Sequence, residues 1–130
     1  MSGEELLTAF EQATLPPAEF RHATHVQVAW LLLRRDPMLE AAARFRDALR
    51  RYAASLGKPG LYHETITLAY LFLIHERMHR SPDGSWEEFA AANADLLAWR
   101  PSVLDVYYRP DTLASEMARA TFVLPDRAVA

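Results

Sequence analysis

Hydrophobic positions recur along this chain every three or four residues and nowhere alternate strictly with polar ones, which is the pattern of helices. Leu6, Leu7 and Phe10, followed by Leu15, outline a short first helix that Pro16-Pro17 closes. Val26, Ala29, Trp30 and Leu33 form one stripe of a second helix from about His22 to Arg35, with Thr24 and Gln27 as a capping box at its start. Asp36-Pro37 ends that helix and opens a third, because proline is favoured at the first helical position. The third helix carries Leu39, Ala42, Phe45, Leu49 and Tyr52, ends at Gly57, and is broken by Lys58-Pro59-Gly60. A fourth, from about Tyr62 to Arg80, is apolar all round between Ile66 and Ile74 except at Thr67. Such a helix is buried on most sides and belongs at the centre of a bundle.

Ser81-Pro82-Asp83-Gly84 reads as a turn, and Ser85 with Glu88 as the capping box of a fifth helix ending near Trp99. Beyond Pro101, Ser102 to Tyr108 supplies one or two helical turns. Asp111 or Thr112 caps a last helix to about Ala120, and Phe122-Val123-Leu124-Pro125 is expected as an extended tail across an apolar groove. The expectation is all-α: a single-domain bundle over residues 1–130, of five to six helices running up and down, with an extended C-terminal tail. No repeat, low-complexity segment or internal boundary interrupts it.

Composition narrows the function classes. A chain of 130 residues supports one sizeable core, and 51% hydrophobic with 24% charged residues is the usual balance of a soluble globular domain. The formal charge of -3 gives no reason to expect nucleic acid or an anionic membrane as partner. A small-molecule substrate and a homo-oligomer both remain compatible with it. The absence of cysteine removes thiolate chemistry and sulfur ligands, so a metal would be held by His, Asp, Glu or water. The acidic start lacks a secretory pattern and the longest apolar run, Leu68 to Ile74, is too short for a membrane span, which makes the cytoplasm the default location.

Candidate chemistry rests on the five histidines, which fall into two groups. Short connections favour antiparallel neighbours, so the starts of the second and fourth helices should lie at one bundle end. That would bring His22 and His25, spaced to share a helix face, near His63 and Glu64. Three imidazoles with a carboxylate are a ligand set for a divalent ion such as Zn, Fe, Mn or Ni, and an open coordination position would activate water or dioxygen. Glu64 and Tyr62 are the candidate catalytic residues. Thr65 and Thr67 would add hydroxyls, Arg21 an anion contact, and Tyr107-Tyr108-Arg109 a lid if the fifth helix runs down. Positive partial charge at helix starts opposes a bare cation there.

The second group, His75-Glu76-Arg77-Met78-His79, in form resembles the zincin metalloproteases, whose two histidines bind zinc while the glutamate activates water. The resemblance covers five residues. No histidine follows His79, no strands accompany the helix, and the motif sits at a helix end where Glu76 can pair with Arg80. His63 and His75 are twelve residues apart, roughly 18 Å along one helix, so the two groups cannot form one site. Two other function classes compete with the metal site. One is a non-catalytic interaction module presenting Trp99, Tyr107, Tyr108 and the tail; the other is a metal-free acid/base enzyme using His63 and Glu64.

Overall fold

A computed structural model describes residues 1–127, so the last three residues of the expected domain lie outside the described residues. Among the described residues the architecture is all-α: α1 Gly3–Glu11, α2 His22–Arg35, α3 Met38–Ser55, α4 Glu64–Arg80, α5 Trp86–Ala92, α6 Ala94–Leu97, α7 Pro110–Leu113 and α8 Glu116–Ala120. Short 3-10 turns occupy Pro17–Glu19, Pro59–Leu61 and Val103–Val106. No described helix is long and apolar enough to cross a membrane.

Capping chemistry explains several boundaries, and corrects one. Ser2 with Glu5 and Ser85 with Glu88 form capping boxes, the latter as expected. The expected Thr24–Gln27 box does not form. The cap of α2 is Arg21, which makes no side-chain capping bond, while the Thr24 hydroxyl donates to the Glu19 carbonyl at 2.9 Å. α3 ends in a Schellman arrangement: Gly57 sits at φ +70, with Lys58 N–H on the Ala53 carbonyl at 3.0 Å and Gly57 N–H on Ala54 at 2.9 Å.

Two helices expected whole are each divided. The fifth breaks at Asn93, which is buried in a non-helical conformation of φ -130, ψ 46. Its amide donates to the Phe89 carbonyl at 2.9 Å and accepts from Arg77 of α4 at 2.9 Å. An asparagine held this way offers the backbone an alternative to continued helix. The last helix breaks where Ser115 caps α8 by accepting from Ala118 N–H at 3.1 Å.

The core joins Leu7 and Phe10 of α1 with Val28 and Leu32 of α2, Phe45 of α3 and Leu71 of α4. α2 contacts α1, α3, α4 and α6, and α4 is flanked by α2, α3 and α8. α4 leaves Phe72 47% exposed, its ring centroid 6.4 Å from that of Phe122 in the tail. The tail is extended and held by polar contacts as well. The buried Thr65 hydroxyl donates to the Thr121 carbonyl at 2.8 Å and accepts from Val123 N–H at 3.0 Å; Tyr108 donates to the Val123 carbonyl at 2.7 Å.

Candidate functional site: a cavity at the histidine end

The antiparallel order of α2, α3 and α4 sets the start of α2, the end of α3 and the start of α4 at one end of the molecule. A cavity of about 470 Å3 opens there. α2 contributes His22, His25, Val26 and Ala29; α3 contributes Phe45, Leu49, Tyr52 and Ala53; α4 contributes Ile66, Thr67, Tyr70 and Leu71. Phe20, Leu61, Tyr62 and His63 line it from the connecting segments. Leu61 and Trp99 line it too while being 65% and 47% exposed, which puts them on its rim. Among the described residues no Lys, Arg, Asp or Glu lines this cavity.

The three histidines expected to converge do share this wall, in three different environments. His63 caps α4: its Nδ1 accepts from Ile66 N–H at 3.1 Å and its Nε2–H donates to the Leu113 carbonyl at 2.7 Å. Both ring nitrogens are committed and the tautomer is fixed by them. His22 donates through Nε2 to the Leu96 carbonyl at 2.9 Å, leaving Nδ1 as an acceptor. Burial pulls its pKa down, and the Leu96 bond opposes that.

His25 is the uncommitted member. Its ring stacks on Phe20 with centroids 3.9 Å apart, and Phe20 is itself braced edge-on by Tyr52 at 4.6 Å. Neither nitrogen meets a protein partner among the described residues; both are accessible to solvent, and the residue lines the cavity. Burial, reinforced by the nearby His22, pushes its pKa down to about 4. The imidazole is therefore neutral at physiological pH.

The other polar groups on the wall are already used. Tyr52 donates to the Leu15 carbonyl at 2.7 Å, Thr67 to the His63 carbonyl at 2.7 Å, and Tyr70 shares a 3.0 Å bond with Ser102. Tyr62 donates its hydroxyl to Glu64. Burial and that acceptor push the Tyr62 phenol up to about 12. Glu64, expected beside the histidines, does not line the cavity. Its carboxylate accepts from Arg46 of α3 at 2.8 Å. Burial acts to raise its pKa, but the Arg46 and Tyr62 hydrogen bonds prevail and hold it below the usual carboxylate value. A carboxylate so paired is a weak base.

Among the described residues no three His, Asp or Glu side chains are arranged to hold a metal ion. The physical reason is the commitment of His63 at both nitrogens and of Glu64 to Arg46. Arg21 does not line the cavity and bonds the Ala18 carbonyl at 3.3 Å; Thr65 ties down the tail. Tyr107, Tyr108 and Arg109 do not reach the site either, and Tyr108 is buried beneath the tail. Sequence reasoning missed Phe20, Tyr52, Leu61 and Trp99. The first three occupy the same helix ends that were expected to meet, so their position was the available signal.

At the far end of α4, His75 and His79 lie with ring centroids 6.3 Å apart and His79 exposed. Glu76 pairs with Arg80 at 2.9 Å, as its spacing predicted. Arg77, between them, reaches Asn93 at 2.9 Å and Asp95 at 2.8 Å. Compared with family models, curated proteins and solved structures, the chain matches none of them.

Proposed function

We propose that this protein binds a small, mainly apolar molecule in the cavity between α2, α3 and α4. The observation that carries the reading is the cavity itself, about 470 Å3 between the helices and open to solvent at its rim. Clefts of several hundred Å3 walled by apolar and aromatic groups are the usual form of small-molecule sites. The few convergent polar groups such sites carry are here His25 and His22. The exposed rim residues Leu61 and Trp99 give an apolar ligand a path from solvent.

Binding of the neutral dye Nile red, read by its fluorescence, tests occupancy. Ala53→Phe places a ring in the cavity from the α3 wall and should abolish the dye signal while helical circular dichroism is retained. Dye bound equally by wild type and by folded Ala53→Phe protein would reject the cavity as the site.

A second reading keeps the metal. His22, His25 and His63 line one cavity, and a divalent ion there would activate water or another small molecule. It requires His63 to give up its bond to Leu113 or to Ile66, and Glu64 to leave Arg46 if it is to contribute. Mass spectrometry of tag-free protein should then find about one divalent ion per chain, with occupancy lost in His22→Ala, His25→Ala and His63→Ala. Protein that stays empty on titration with Zn, Fe, Mn, Co and Ni removes this reading.

A further inference from the structure

The wall of the cavity restricts the chemical class of its ligand, an inference that rests on the cavity being a binding site. Among the described residues no charged side chain lines it, so a carboxylate, phosphate or ammonium entering it would lose water and gain no counter-charge. The hydroxyls of Tyr52, Tyr62, Thr67 and Tyr70 are engaged with protein acceptors or with Ser102. His63 has no nitrogen left. One polar side chain on the wall is half-buried with neither ring nitrogen bonded to protein among the described residues, and that is His25. Its ring is clamped by Phe20, which Tyr52 and Phe10 brace in turn at 4.6 and 5.2 Å. His22, one turn earlier on α2, adds a single acceptor nitrogen.

We propose that the ligand is an uncharged hydroxyl compound, an alcohol or phenol with an apolar body, whose hydroxyl hydrogen-bonds His25 while the body fills the apolar remainder. A hydroxyl suits this place because it both donates and accepts, and a neutral imidazole offers one nitrogen of each kind. With burial holding the ring neutral, His25 presents a hydrogen bond and no charge to an incoming anion.

The experiment is equilibrium dialysis at neutral pH of four probes with one aromatic body: 2-naphthol, 2-methylnaphthalene, 2-naphthoate and 2-naphthylmethylammonium. Wild-type protein should bind 2-naphthol tightest, about five- to tenfold over 2-methylnaphthalene, the worth of one buried hydrogen bond. Both ions should bind at least tenfold more weakly than 2-naphthol. In His25→Phe protein, which keeps the stack on Phe20, 2-naphthol and 2-methylnaphthalene should bind alike. Ions bound as tightly as 2-naphthol, or a 2-naphthol preference that survives in His25→Phe, overturns the ligand class and leaves the cavity reading standing. If no probe binds, the cavity reading itself fails and this inference with it. The wild-type ranking stands as a test even if His25→Phe does not fold.

Discussion

The two ends of α4 carry histidines in opposite circumstances. At the start, His63 is joined by His22 and His25 from another helix around one cavity, although nothing in their local spacing forms a motif. At the end, His75 and His79 have the spacing of a metal-binding motif, yet they sit at the margin of the fold with Glu76 paired to Arg80. Ring hydrogen bonds to backbone carbonyls and a shared cavity distinguish the first end from the second.

The cavity end is tested most sharply by pH. His25 has a folded pKa of about 4, below the ordinary 6.5 of an unfolded histidine. Between those values the unfolded chain binds more protons, so the folded state loses stability as pH falls. The contribution is complete above about pH 6.5 and is lost as pH drops toward about 4, at a slope of about 1.4 kcal/mol per pH unit. Over that window the loss approaches about 3 kcal/mol. His22, also lowered by burial, adds in the same direction. Urea midpoints across this range should show the slope in wild type and a shallower one in His25→Phe. Equal slopes in the two proteins would show that His25 carries none of it.

The next effect is structural. His63→Ala removes the cap of α4 and the bond to Leu113 that holds α7. A lost cap costs about 1 kcal/mol and a lost hydrogen bond about as much again, so destabilisation of about 2 kcal/mol is expected. His63→Asn retains a capping side chain and should recover about half. The same truncation at His79, an exposed residue, should change stability by less than about 0.5 kcal/mol. Chemical denaturation of the three variants measures all of this.

Much of this arrangement was legible in the sequence. Apolar stripes located α2, α3 and α4, and their short connections alone predicted that His22, His25 and His63 would meet. The commitments of those rings were not legible. His22 bonds Leu96 across 74 positions and His63 bonds Leu113 across 50 positions, and both acceptors are backbone carbonyls, which carry no residue signature. Glu64 was misplaced for a related reason: its partner Arg46 is one of four arginines in α3, and nothing in the sequence marks which of them reaches α4. The break at Asn93 likewise needed knowledge that Arg77 would reach it. The expected metal set followed from proximity alone, and proximity does not reveal which nitrogens are free.

The far end has its own strong point, and it is not a histidine. Arg77 bonds the buried Asn93 and the half-exposed Asp95, fastening α4 to the α5–α6 break. Arg77→Met keeps the aliphatic stem and removes those bonds, leaving the Asn93 oxygen without its charged donor. Destabilisation of about 1 to 2 kcal/mol is expected by urea denaturation, most of it from Asn93, because the pair with Asp95 is partly screened by solvent. An Arg77→Met protein as stable as wild type would show that α4 needs no fastening at this end.

The smallest expected effect is the most informative about the motif. Glu76 and Arg80 are both largely exposed, with side chains 61% and 68% accessible, and an exposed pair one helical turn apart contributes only about 0.3 to 0.5 kcal/mol. Glu76→Gln should therefore shift stability by no more than that and leave metal content and dye binding unchanged. A zincin-like site would behave otherwise: the glutamate activates the bound water, so Glu76→Gln would keep the metal and lose hydrolysis, while His75→Ala would lose the metal. Parallel metal analysis and peptide-hydrolysis assays of the two variants distinguish these outcomes. Metal that follows His75 would move the chemistry to the far end of α4 and reverse the contrast drawn between its ends.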